Sequence, residues 1–170
     1  NGGTVFSPVS LGWRRIDWDQ RRLAFNGSLQ WAPSDTLTFT ARPGPFSIEC
    51  SEPGVPTDSR NLIWKAAFEL SRAANLQTVD GIHVRIDKRI PIEAGLGGGS
   101  ADAAAALRAL TSLWNLSFDS IALAAVARMV GSDVSFFLMG GAAYGSGRGD
   151  DLLPLADIRA FYRTWYAPNN

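Results

Sequence analysis

Four glycines fall within five positions, Gly95, Gly97, Gly98 and Gly99, immediately before a run of alanines at residues 103–106. The full segment reads Pro91-Ile92-Glu93-Ala94-Gly95-Leu96-Gly97-Gly98-Gly99-Ser100-Ala101-Asp102. Glycine lets a backbone adopt positive φ and approach another group with no Cβ in the way. Alanine is the strongest helix former, so a rigid helix is predicted to start where the glycines stop, near Ser100. The first turn of such a helix leaves N–H groups unpaired and carries the positive end of the helix dipole. A glycine turn opening a helix is therefore an anion site suited to a polyphosphate. Ser100 can cap the helix or offer its hydroxyl to a phosphate or to Mg²⁺. Three better-known glycine motifs do not fit. No lysine follows the glycines, as a Walker loop requires. Ser100 stands where a dinucleotide fingerprint needs its third glycine. Asp102 stands where a hydrolase elbow needs a glycine after its serine.

The elements around the loop are legible from periodicity. Residues 35–42 alternate Leu37, Phe39 and Ala41 against Thr36, Thr38 and Thr40, which predicts a half-buried strand. A second strand is predicted over 46–50 after the Pro43-Gly44-Pro45 turn, and 52–59 reads as a loop. Asp58 or Ser59 can cap a helix over 61–74 with Leu62, Ala66, Leu70 and Ala73 on one face. In residues 81–88, Ile82, Val84 and Ile86 face one way and His83, Arg85 and Asp87 the other, a strand leading into the glycines. A helix follows to about Trp114, then another over 119–130 ended by Gly131. Short strands near 136–144 and 151–155 close the reading. Strands and helices do not alternate regularly, so the class is α+β: a two-layer sandwich with mixed sheet on one side and helices on the other.

Sixteen basic residues balance sixteen acidic ones. A nucleic-acid or membrane-surface partner normally leaves a basic footprint, so neither is expected. Cys50 is the only cysteine, which excludes an internal disulfide and a cysteine metal cluster and fits a cytoplasmic setting. Asp133, between Gly131 and an apolar run, can face a cleft as a proton acceptor or be a solvated turn residue. Asn61 can belong to a first helical turn, Lys88 can be an exposed strand-end charge, and His83 reads as exposed.

The loop and its surroundings resemble the GHMP kinases, and in particular their 4-diphosphocytidyl-2-C-methyl-D-erythritol kinase branch. The likeness rests on the run from Ile90 and Pro91 to Leu107, on Asn61-Leu62 with Lys65-Ala66-Ala67, and on Ile86-Asp87-Lys88-Arg89. It continues in Gly131-Ser132-Asp133-Val134, Phe136-Phe137 and Gly141, then Gly145-Ser146-Gly147 and Gly149-Asp150. It covers about residues 35–156, with 1–34 a divergent segment expected to add strands to the same domain and 157–170 a tail. The resemblance implies a left-handed βαβ crossover, a second domain beyond these residues, and transfer of the γ-phosphoryl of ATP to the 2-hydroxyl of a cytidine-diphosphate-linked methylerythritol. It implies that Asp133 is the catalytic base and that Pro91, Gly95, Leu96, Gly97, Gly98, Gly99, Ser100 and Ala101 hold the ATP phosphates. Ser100 would stand near Mg²⁺, Asp102 near the phosphates, and Asn61 and Lys88 beside the adenine.

Members of that branch begin with a Pro-Ala-Lys-Ile-Asn-Leu strand and an Asp-Gly-Tyr-His turn. Neither is present; the only lysines are Lys65 and Lys88, and of the turn only Asp19 has a counterpart. Both chain ends are accordingly read as truncations, and the 170 residues alone are expected to turn over weakly. Two other functions remain open: a related kinase for another alcohol, such as homoserine or mevalonate, or a nucleotide-binding fragment without catalysis.

Overall fold

The computed structural model describes residues 3–6 and 35–155. The Trp- and Arg-rich stretch around Trp13 and Trp18 and the tail 157–170 lie outside the described residues. The alternating threonines form β2 (Thr36–Ala41), with Leu37 and Phe39 buried and the threonines half-buried on the other face. Ala41, expected on the inner face, is exposed where the strand runs out into the turn. β2 pairs on one side with β1 (Gly3–Phe6) and on the other with β4 (Ile82–Asp87), both antiparallel. β4 also pairs in parallel with β3 (Ser47–Cys50), giving a mixed sheet of order β1-β2-β4-β3. Within it Leu37 stands opposite Ile86, Phe39 opposite Val84, and Ile48 beside Val84. His83, expected to be exposed, is half-buried, because β4 has neighbours on both edges. Its Nδ1 lies 3.0 Å from Ser47 Oγ.

Parallel neighbours need a long crossover. Here it is α1 (Leu62–Ala73), which joins β3 to β4. The cap is Asn61, not Asp58 or Ser59: its side-chain oxygen accepts from Ile63 N–H at 2.8 Å. Asp58 is taken instead by a local turn, accepting from the backbone N–H and guanidinium of Arg60. The buried stripe is Ile63, Ala66, Ala67 and Leu70, one position round from the expected face, and Leu62 and Ala73 lie outside it.

The alanine run builds α2 (Gly98–Leu113), buried on nearly every side from Ala101 to Leu110. A helix apolar all round belongs inside a domain. Small side chains let it sit between β2, α1, α3 (Ser120–Val130) and α4 (Ser132–Met139). Asp119 caps α3, its side-chain oxygen accepting from Ala122 N–H at 2.7 Å.

Residues 136–139, expected to begin a strand, instead end α4. The aromatic pair Phe136-Phe137 suggested a strand, but Val134 and Leu138, four apart and both buried, obey the helical period. Gly140 and Gly141, at φ +72° and +75°, then end the helix. The strand starts only at β5 (Ala142–Ser146), which forms a hairpin with β6 (Asp151–Leu155). Helices lie on one side of the four-stranded sheet and its polar face lies on the other, the expected two-layer α+β arrangement. Among the described residues no helix is long and apolar enough to cross a membrane.

Candidate functional site

The glycines do two separate jobs. Gly97 is the N-cap of α2 at φ +68°, a left-handed conformation costly for any residue with a Cβ. A Cβ there would also stand 2.7 Å from the ring of Phe137 on α4. Gly98 sits against the end of β4: a Cβ would meet Ile90 Cγ2 at 2.8 Å and Lys88 Nζ at 3.1 Å. The helix therefore starts two residues before the predicted Ser100, and Ser100 does not cap it. No side chain caps α2 at all, while Gly97 C=O accepts the first helical bond from Ala101 N–H at 2.9 Å. The N–H groups of Gly98, Gly99 and Ser100 precede that bond and are left without partners inside the helix.

Those groups border a cavity of about 380 Å³. Its walls bring together Asn61, Lys88, Pro91, Gly95, Leu96 and Gly97, with Gly98, Gly99, Ser100 and Asp102 completing the helix side. Of the residues expected to hold phosphate, only Ala101 is absent from the lining; it is buried in the helix. Asn61 is itself buried, donating to Pro56 C=O at 2.6 Å while it caps α1.

Lys88 is not an exposed strand-end charge. Its ammonium is buried between Asp35 and Asp102, donating to Asp35 Oδ2 and, at 2.9 Å, to Asp102 Oδ2. Burial works against the charged lysine, but the two carboxylates outweigh it and hold its pKa above the ordinary value. Burial pushes the Asp102 carboxyl up to about 7, against the pull of Lys88 and with the repulsion of Asp35. Two carboxylates around one ammonium leave surplus negative charge in a dry place, and Asp102 answers by keeping its proton longer.

Asp133 lies in the first turn of α4, exposed, at the end of the helix where the dipole favours a carboxylate. It lines a second cavity of about 290 Å³ with Gly95, Leu96, Gly97, Phe137 and Gly145. Gly95, Leu96 and Gly97 border both cavities, so the loop is the partition between them. A molecule crossing the loop would have one end beside Asn61 and Lys88 and the other beside Asp133.

One contributor lies outside the residues that the sequence singles out: Asp35, which its pattern places only at the start of a strand. Nothing local marks it. Asp35 faces Lys88 only because β2 and β4 pair with Thr36 opposite Asp87.

Fold and site define an α+β domain built around a glycine loop of neither the Walker nor the dinucleotide type, with a cavity at the open start of a helix. Residues 61–141 match the family described as GHMP kinases N terminal domain, and this part of the chain belongs to that family. A Salinibacter ruber protein named 4-diphosphocytidyl-2-C-methyl-D-erythritol kinase is 40% identical over 153 residues, covering 89% of this chain and 50% of that protein. A protein of the same name from Shouchella clausii is 46% identical over 113 residues, covering 66% of this chain and 37% of that protein. A crystal structure of 4-(cytidine 5'-diphospho)-2C-methyl-D-erythritol kinase superposes with a TM-score of 0.57 at 39% identity, over 72% of this chain and 42% of that one. The Methanococcus jannaschii mevalonate kinase superposes with a TM-score of 0.59 at 14% identity, over 74% of this chain and 47% of that one, a likeness of fold alone. The chain spans about half the length of the curated relatives it matches.

Proposed function

We propose that the chain carries the ATP site and the catalytic base of a small-molecule kinase. It would transfer the γ-phosphoryl of ATP to the 2-hydroxyl of 4-diphosphocytidyl-2-C-methyl-D-erythritol, a step of isoprenoid biosynthesis. The observation that carries this reading is the shared wall: an uncapped helix start on one side of residues 95–97 and Asp133 on the other. Phosphoryl transfer asks a protein mainly for positioning and charge stabilisation, plus a group to take the acceptor's proton. The free N–H groups of the first turn of α2 would bind the phosphate oxygens, and the helix dipole would favour their charge. The nucleoside would lie toward Asn61 and Lys88, in the larger cavity. Asp133 would accept the hydroxyl proton as the oxygen attacks phosphorus. The choice of acceptor rests on the relatives' names and identities rather than on the cavity.

Among the described residues no group of three or more Asp, Glu, His or Cys side chains gathers as a metal centre. Mg²⁺ keeps several waters and binds through substrate phosphates with few protein ligands. Ser100, half-buried on the cavity wall, is the residue that would hold it. Mg²⁺ bound there would neutralise charge developing on the phosphates. The sparse use of cysteine supports a cytoplasmic setting.

The test is calorimetric titration with ATP and Mg²⁺, followed by phosphotransfer assays offering the diphosphocytidyl alcohol, mevalonate and homoserine. Saturable ATP binding, with transfer to the first alcohol that is weak in these 170 residues alone, is the expected result. Absence of ATP binding overturns the reading, and preference for another alcohol overturns the acceptor assignment.

A further inference from the structure

We infer that Asp35 is a positioning residue of the nucleotide site, holding the entry and the exit of the phosphate loop in register through Lys88 and Asp102. The inference deepens the proposed ATP site and rests on it. Asp35 is fully buried, and its carboxylate takes donors from three consecutive residues. Oδ1 accepts Arg89 N–H at 2.6 Å and Ile90 N–H at 2.8 Å, while Oδ2 accepts the Lys88 ammonium. These are the last residues before Pro91, where the loop begins.

The reason lies in how the sheet ends. The β2–β4 ladder stops at Thr36 and Asp87, so Arg89 and Ile90 have no strand partner beyond it. Their N–H groups would otherwise lack a partner within the sheet, and one carboxylate, itself fully buried, replaces the missing ladder for both. Hydrogen bonds to an ionised acceptor are also stronger than those of a neutral ladder. The backbone is thereby held where the Ile90 side chain meets Gly98.

The second half of the device is the lysine. Its ammonium reaches from Asp35 to Asp102 in α2, so the strand before the loop and the helix after it are tied by one chain of contacts. Gly98 is what lets that ammonium come close beneath the first turn. Lys88 and Asp102 both border the cavity, whereas Asp35 does not. Asp35 therefore acts through them, setting where the free N–H groups of residues 98–100 point.

The test compares Asp35→Asn with Val84→Ala, a core truncation on the neighbouring strand β4 that leaves the network alone; Val84 is fully buried. Asparagine keeps the volume and the oxygen that accepts from Arg89 and Ile90, but turns an NH₂ donor toward the Lys88 ammonium. Asp35→Asn should raise the Kd and KM for ATP about tenfold or more and leave the KM for the acceptor alcohol within about twofold. Val84→Ala should lose stability with ATP affinity unchanged. Backbone ¹⁵N relaxation of the unliganded protein should show lower order parameters across residues 95–100 in Asp35→Asn only. Wild-type ATP affinity in Asp35→Asn, or an equal loss of affinity in Val84→Ala, overturns the inference. If the wild type itself binds no ATP, the proposed function falls, and the relaxation comparison decides the positioning role. Unchanged order parameters then overturn it.

Discussion

A Cβ on Gly97 would come within 2.7 Å of the Phe137 ring, so the start of α2 and the body of α4 meet face to face at the glycine loop. Phe137 is one turn along α4 from Asp133, so the contact bears on where the start of α4 sits relative to the loop. Gly97→Ala should therefore be expensive twice: about 1–2 kcal/mol for a Cβ at φ +68° and about 1–3 kcal/mol for the clash with the ring. Urea denaturation should show a loss of about 2–5 kcal/mol in sum. Adding Phe137→Leu should recover the packing part and leave the backbone part. If the double variant is no more stable than the single one, the ring is not what forbids a side chain at this position.

Gly99 behaves differently. A Cβ there meets only Leu62 Cδ1, at 3.8 Å, an ordinary contact, yet the residue borders the cavity proposed to take the nucleotide. Alanine in a helix is better than glycine by about 0.5–1 kcal/mol. Gly99→Ala should fold at least as well as the wild type and bind ATP at least about tenfold more weakly, since the methyl intrudes between phosphate and N–H. Full ATP affinity in a stable Gly99→Ala would show that the phosphates lie elsewhere.

The buried carboxylate Asp102 makes stability depend on pH in a specific direction. Its folded pKa of about 7 lies above the ordinary value of 3.8. Between those values the folded chain holds a proton that the unfolded chain has released. The contribution is therefore full below about pH 4 and is lost as pH rises through about 7. Measured against Asp102→Asn, which cannot titrate, the wild type should lose urea resistance steadily from about pH 4 to about pH 8. A flat difference across that range would mean that Asp102 is ionised throughout and that Lys88 compensates its burial.

The sequence foretold this site unevenly, for physical reasons. The glycine loop was legible because backbone freedom and helix propensity are local properties, written in consecutive residues. The strands over 36–41 and 82–87 were legible because the inward faces alternate with a period of two. What could not be read was whatever depends on pairing. Asp35 meets Lys88 across 53 positions because two strands align, and no local pattern states their register. α4 was misread for a related reason. Aromatic residues favour strands, but the deciding fact was burial of Val134 and Leu138 against helices that only the folded chain brings near. That misreading still left Asp133 beside the loop, because Gly131 ends α3 and starts α4 within one residue.

The proposed base gives the last prediction. Asp133 is exposed at the start of α4, on the opposite side of the loop from the cavity that Asn61 and Lys88 line. It has no side-chain part in the core, so its replacement should not disturb the fold. Asparagine keeps the shape and the hydrogen-bonding reach but cannot take a proton. A positioned base is worth about 10²–10⁴-fold, so Asp133→Asn should lower kcat by that amount in an enzyme completed with the lysine strand and second domain that the resemblance implies. The ATP affinity should stay within a few-fold, because the first turn of α2 and the first cavity are untouched. Melting temperature, ATP titration and steady-state rates on the same preparation separate these effects. A variant with wild-type turnover would show that Asp133 only starts a helix, and that the acceptor's proton leaves by another route. Parallel losses in ATP affinity and rate would instead place Asp133 among the groups that hold the nucleotide.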